Sequence, residues 1–221
     1  MELFDSCPVE KISTKIENDN NSFAHAKNVK VSSTGINFVL VVDGQEIDCK
    51  TKLIGKHNLE NILMCSALAY KLGLTIEQIK LGIAKLEPIN HRLELKKENG
   101  LTILDDSYNS NVEGAVCAFE TLKLFKTGKK IIITPGLVEL GKKEREENIN
   151  FGRNIAKVVD IAIIVNNTNK DAISQGLIEE NFNEENIFFA QSLVEARIIL
   201  KDLAEKGDVV LFENDLPDNY Q

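Results

Sequence analysis

With 221 residues, 43% of them apolar and 27% charged, the chain has material for one sizeable core or two smaller ones and none of the compositional marks of disorder. A formal charge of −8, with Lys interleaved among Glu and Asp throughout, leaves no basic face for a polyphosphate backbone, so nucleic acid is excluded as an expected partner. No apolar run reaches bilayer length, and Met1-Glu2-Leu3-Phe4-Asp5 lacks the regions of a signal peptide, so the expectation is a cytoplasmic protein with no membrane partner.

The first half alternates apolar and polar residues over Asn28 to Ser33, Ile36 to Val42 and Gln45 to Lys50. Thr34-Gly35 and Asp43-Gly44 separate these runs, which predicts a small antiparallel meander with its stronger hairpin signal at Asp43-Gly44. Leu59, Ile62, Leu63, Ser66, Ala69 and Tyr70 then fall at helical spacing within Asn58 to Leu72, and the run stops at Gly73. Asn58 is a good N-cap residue for that helix. Thr75 caps a second helix through Leu86, with Glu77 and Gln78 in its first turn.

After Pro88 the rhythm changes. Strands are expected over Leu101 to Asp105, Lys130 to Thr134, Ile161 to Asn166, Asn186 to Ala190 and Val209 to Glu213. Helices are expected over roughly Val112 to Phe125, Lys143 to Val158, Lys170 to Glu179 and Leu193 to Glu205. Strand and helix in regular succession predict an α/β fold, a Rossmann-like domain with a mainly parallel sheet covered on both faces. The predicted division is residues 1–88, holding the meander and helical hairpin, and residues 89–221. In such sheets ligands bind beyond the carboxyl ends of the strands, which directs attention to the loops after Asp105, Thr134, Asn166 and Glu213.

The loop Leu104-Asp105-Asp106-Ser107-Tyr108-Asn109-Ser110-Asn111 is an unusually polar run between a strand and a helix. Asn111 as a helix cap and the aspartates as a strand end are the bland reading; hydrogen-bonding side chains at the ligand edge of a sheet are the functional one. Arg92, one of four arginines against 22 lysines, stands in Ile89-Asn90-His91-Arg92, where a planar, permanently charged guanidinium suits a phosphate in an interdomain cleft. Gly136-Leu137-Val138-Glu139-Leu140-Gly141-Lys142-Lys143 fits G-x-x-x-x-G-K, but Lys143 stands where a phosphate loop needs Ser or Thr for magnesium, so a structured loop is expected there. Cys7, Cys49, Cys65 and Cys117 form no C-x-x-C pair, and His25, His57 and His91 are scattered. Buried free thiols and no metal site are therefore expected.

Five segments in this order resemble the Mur ligase family, and within it the MurF type. They are Leu53-Ile54-Gly55-Lys56-His57-Asn58-Leu59-Glu60-Asn61, His91-Arg92-Leu93-Glu94-Leu95, Asp105 to Asn111, Thr134-Pro135-Gly136-Leu137-Val138-Glu139-Leu140-Gly141, and Gly207-Asp208-Val209-Val210-Leu211-Phe212-Glu213-Asn214-Asp215-Leu216-Pro217. The resemblance implies the last part of the family's central ATPase domain, residues 1–88, followed by its C-terminal Rossmann-like domain, residues 89–221. It implies an ATP-dependent, Mg2+-requiring amide ligase that adds D-alanyl-D-alanine to UDP-MurNAc-tripeptide through an acyl phosphate. His57, Asn58 and Asn61 would lie near adenine, Arg92 would reach a phosphate, and Asp106 the ribose or hinge. Ser107, Tyr108, Asn109 and Asn111 would lie toward the dipeptide. The P-loop, the magnesium carboxylate and the lysine that the family carbamylates have no counterpart in these 221 residues, so the chain alone is expected to be inactive. Two positions depart from the family's commoner pattern: His91 precedes Arg92 in place of Gly, and Glu213-Asn214-Asp215 replaces Lys-Gly-Ser. The alternative reading is a free-standing nucleotide- or peptide-binding module derived from a Mur ligase.

Overall fold

The computed structural model describes residues 12–16 and 22–215. The chain divides into two units, Met1–Glu87 and Pro88–Gln221.

In the first unit, strands β1 (Thr14–Lys15), β2 (Ala24–Ser32), β3 (Gly35–Val42) and β4 (Gln45–Thr51) form one sheet in that order. The meander of β2, β3 and β4 is antiparallel, and β1, absent from the sequence expectation, adds two residues parallel to β2. Asp43 and Gly44 both take positive φ, 49° and 76°, as a tight two-residue hairpin turn matched to strand twist requires. Helix α1 (Lys56–Lys71) buries Leu59, Ile62, Leu63, Ser66 and Ala67. That stripe packs with Phe38, Leu40 and Val42 of the sheet and with Ile79 and Ile83 of helix α2 (Ile76–Ala84). Thr75 starts α2 with a full capping box, its hydroxyl accepting from Gln78 N–H while the Gln78 side chain accepts from Thr75 N–H. Asn58 does not cap α1. The helix begins at Lys56 after Gly55 at φ 85°, and Asn58 lies inside it with Nδ2 donating to Ile54 O at 2.7 Å.

In the second unit, strands β5 (Glu94–Glu98), β6 (Leu101–Asp106), β7 (Lys130–Thr134), β8 (Ile161–Val165), β9 (Ile187–Ala190) and β10 (Val209–Glu213) form a six-stranded sheet. Its order is β5-β6-β10-β7-β8-β9, parallel except for β5. The last strand thus inserts between β6 and β7 and brings their three carboxyl ends side by side. The connections carry helices α3 (Val112–Leu122), α4 (Glu144–Ala156), α5 (Lys170–Glu179) and α6 (Leu193–Leu203). Ala196 and Leu200 of α6 close over Ile163, Val165 and Ala190 on one face. The alternate residues Leu104, Ile132, Ile164 and Leu211, all fully buried, face the other way, where α3 packs on β10.

Helices α4 and α5 meet backbone to backbone. A Cβ on Gly152 would lie 2.3 Å from Ile173 O, and one on Gly176 would lie 2.0 Å from Ile149 O, so neither position admits a side chain without separating the helices.

Candidate functional site

Strand alternation divides the adjacent aspartates at the end of β6. Asp105 shares its face with Ile103 and Phe212 and lines an open groove of about 1080 Å³, whereas Asp106 shares the opposite face with Leu104, under α3. Asp105 accepts from Lys96 Nζ at 2.8 Å and Ser107 Oγ at 2.7 Å, and His91 Nδ1 lies 2.9 Å away. Burial pushes its carboxyl up, but Lys96 and Ser107, with the His91 charge, outweigh burial and hold it below the usual carboxylate range. The Ser107, His91 and Asp105 side chains do not form a nucleophile relay. Ser107 Oγ and Asp105 Oδ2 both approach the same ring nitrogen, at 3.3 and 2.9 Å, whereas a relay needs one on each.

Asp106 accepts from Leu93 N–H at 3.0 Å, and burial carries its carboxyl up to about 6 against the pull of that bond and of Arg92. Its register partner across the sheet is Glu213. Glu213 is fully buried; burial first, then the Asp106 charge, push its carboxyl up to about 8, opposed by Ser110 Oγ donating to Oε1 at 2.5 Å. Its Oε2 is buried without a hydrogen-bond partner among the described residues.

Between these carboxyls and α3 the loop turns outward. Tyr108 is 66% exposed, and the Arg92 guanidinium stacks over its ring at 4.4 Å, with Nη1 3.5 Å from Asn109 O. Tyr108 N–H donates to His91 O at 3.2 Å, which ties the loop to the segment before β5. Asn111 caps α3, its Oδ1 accepting from Gly114 N–H at 2.7 Å. Asn214 then joins three loop ends: its N–H donates to Asp106 O, its Oδ1 accepts from Ser110 N–H at 3.1 Å, and its Nδ2 donates to Gly136 O at 2.7 Å.

The loop after β7 is structural. Gly136 N–H donates to Thr134 Oγ1 at 3.0 Å and Leu137 N–H to Asn148 Oδ1 at 2.9 Å, while the Leu137 side chain is 1% exposed. Amides already satisfied by side chains, beside buried Leu137 and Val138, do not make a phosphate cradle. Among the described residues no group of three His, Cys, Asp or Glu side chains could hold a metal ion. The donor set here therefore does not fit a magnesium triphosphate. The thiols are less uniformly buried than expected: Cys49 is buried, and burial pushes it up to about 11, Cys117 is intermediate and Cys65 is exposed, while Cys7 lies outside the described residues.

Residues 91–213, more than half of the chain, match the family described as Mur ligase, glutamate ligase domain, and residues 2–69 match the Mur ligase middle domain. The chain belongs to the Mur ligase family. It is 32% identical over 133 residues to the UDP-N-acetylmuramoyl-tripeptide--D-alanyl-D-alanine ligase of Escherichia coli K12, a match over 60% of this chain and 29% of that protein. It is 30% identical over 158 residues to the UDP-N-acetylmuramoylalanine--D-glutamate ligase of Caldanaerobacter subterraneus, over 71% of this chain and 33% of that one. Among solved structures, MurF from Acinetobacter baumannii aligns with a TM-score of 0.76 at 20% identity, over 89% of this chain and 43% of that one. MurC from Thermotoga maritima aligns at 0.71 and 16%, over 90% and 44%, so the shared fold extends across ligase types. The chain spans less than half the length of each of these Mur ligases.

The six candidates of the second unit, Arg92, Asp106, Ser107, Tyr108, Asn109 and Asn111, fall in one cluster at the carboxyl ends of β6 and β10. His57, Asn58 and Asn61 belong to the first unit, along the opening turns of α1. His57 is half-buried with Nδ1 lacking a hydrogen-bond partner among the described residues, and burial lowers its pKa, which favours the neutral imidazole at pH 7. Asn61 is exposed one turn further on. Glu213 and Asn214 were not among the expected site residues, yet they hold the cluster together. Their sequence signal, a polar pair directly after an apolar strand, is the one that drew attention to Asp105 and Asp106.

Proposed function

We propose that this chain is the portion of a MurF-type ligase that receives the incoming amine substrate and closes over the nucleotide. The reaction is the ATP-dependent joining of D-alanyl-D-alanine to UDP-MurNAc-tripeptide in peptidoglycan synthesis, through an acyl phosphate, in the cytoplasm. ATP and Mg2+ would activate the carboxylate from residues outside these 221, since the loop after β7 and the described carboxylates do not fit that task. This chain's share is orientation: His57, Asn58 and Asn61 toward adenine, Arg92 toward a phosphate, and Ser107, Tyr108, Asn109 and Asn111 toward the dipeptide.

The observation that carries the reading is the loop from Asp106 to Asn111. It leaves the ligand edge of the sheet, displays Tyr108 outward under a stacked Arg92, and is fastened at both ends by buried polar groups. Asn111 serves a ligand through Nδ2, because its Oδ1 caps α3.

The D-glutamate ligases among the relatives supply the rival, and direct binding separates the two. Titrating the 15N-labelled chain should give shifts at Tyr108 and Asn109 with D-alanyl-D-alanine and none with D-glutamate. The reverse preference would replace MurF-type with MurD-type, and silence to both would favour the free-standing module. The purified chain should form no amide from ATP, UDP-MurNAc-tripeptide and D-alanyl-D-alanine; turnover would contradict the assignment of phosphate activation to other residues.

A further inference from the structure

We propose that Glu213 and Asn214 are positioning residues: together they clamp Ser110, and through it the loop Ser107 to Asn111, in its receiving geometry. The dipeptide as occupant of that loop rests on the MurF-type reading; the clamp itself rests on geometry alone.

Asn214 is 5% exposed and sits at φ 66°, a left-handed conformation that Asn tolerates better than most residues. From there one short planar amide accepts from the Ser110 backbone and donates to Gly136 O, while its own N–H reaches Asp106 O. No other side chain does this. Asp lacks the donor, Gln is too long, and Gly keeps the backbone but loses both side-chain bonds. The loops after β6, β7 and β10 are therefore joined at one residue.

Glu213 acts on the same Ser110 from below, its Oε1 accepting from the hydroxyl. In a parallel sheet, register partners project to one face, so Glu213 and Asp106 are desolvated neighbours under α3. Two ionised carboxylates there would repel with little water to screen them, which together with burial favours the protonated form of Glu213. The charged groups around the pair are few. Arg92 acts on Asp106 from the exposed side and Asp105 from the opposite face of the sheet, Thr134 of β7 is uncharged, and Glu113 of α3 is exposed. Among the described residues the charge that acts on Glu213 is that of Asp106.

Glu213 is an acid whose folded value, about 8, lies above the ordinary 4.5. Its contribution to stability is fully present below the ordinary value and is lost as pH rises through the folded value. Raising the pH through that window should put a second charge under the clamp and loosen the loop.

The experiment follows the Ser110 amide of the 15N-labelled 221-residue chain from pH 5 to 9.5, together with D-alanyl-D-alanine titrations at pH 6 and 9.5. In wild type the amide should titrate with a midpoint near 8, and in Glu213→Gln that transition should vanish while the fold is kept. Binding should weaken by at least about tenfold more between the two pH values in wild type than in Glu213→Gln, whose remaining change reports the dipeptide's own α-amine. Ser110→Ala and Asn214→Gly, the latter chosen because Gly retains the backbone conformation, should each bind about tenfold more weakly at pH 6. A Ser110 amide indifferent to pH, a transition that survives Glu213→Gln, or wild-type affinity in both Ser110→Ala and Asn214→Gly would each overturn the clamp. A normal Ser110 titration with no D-alanyl-D-alanine binding at any pH supports the clamp and overturns the MurF-type reading instead.

Discussion

Asp105 and Asp106 are neighbours in sequence with opposite environments. Asp105 is paired with Lys96 and His91 on the groove face, which fastens β6 to edge strand β5. Asp106 is buried against Leu93 and Glu213, one residue from the displayed loop. A single run of letters therefore contains one structural and one candidate functional carboxylate, and only strand parity separates them. The same reasoning distinguishes Arg92 from a solvated linker arginine. Its guanidinium is flat on Tyr108, a use in which lysine keeps the charge and loses the plane. In a full-length ligase carrying this segment, Arg92→Ala and Asp106→Ala should lower kcat and kcat/KM together, with Arg92→Lys in between. Arg92→Ala should leave the melting temperature nearly unchanged, whereas Asp106→Ala, which strips the buried Leu93 N–H of its acceptor, should lower it by a few degrees, far less than the loss of turnover. Near-wild-type kinetics in both alanine variants would leave Arg92 and Asp106 as surface and strand-end residues.

At the scale of elements, the buried parallel strands and their helices could be read from the sequence because their apolar runs and caps are local. β7, β10 and α5 run between the expected residues, and Thr75 and Asn111 cap as their residue types suggest. β5 could not be read in this way. Glu94-Leu95-Lys96-Lys97-Glu98 lacks an apolar pattern, and it becomes a strand only because β6 offers an open edge to pair with, where charged side chains suit an outermost position. The α4–α5 contact was equally hidden, since a helical Gly reads as a weakness until its neighbour is known. Gly152 and Gly176 let two backbones touch, so Gly176→Ala should cost about 1–3 kcal/mol of second-unit stability by overpacking, even though Ala is the better helix former. A variant as stable as wild type in urea would mean that the helices part without cost.

At the scale of the whole molecule, the two units differ in how large a sheet core they bury. In the first, the buried stripe of α1 faces its sheet, but Met64, Leu68 and Leu72, at i, i+4 and i+8, are 53%, 56% and 73% exposed. Met64 and Leu68, with Leu72 at the C-cap, form a second apolar stripe beside the buried one. The Mur ligase middle domain matches this unit, and the relatives are more than twice as long as this chain, so a longer middle domain is the surface we expect to cover the stripe. The second unit also leaves apolar side chains on a helix in water, Val194 at 70% and Ile198 at 61% on α6, but its six-stranded sheet is lined on one face by α6 and on the other by α3, with Ile131, Ile132, Ile163, Val210 and Leu211 at zero exposure. Opening free energy follows buried apolar contact, so native-state hydrogen exchange on the 221-residue chain should release the amides of β2, β3, β4 and α1 at lower protection than those of β6, β10 and β7. Replacing Met64, Leu68 and Leu72 with Glu or Lys should then leave the protection of the first unit unchanged or improved in this chain, while lowering folded yield in a full-length ligase where the stripe is covered. Equal protection of the two units, or a triple variant that unfolds the isolated first unit, would show that the stripe already serves this unit's own stability.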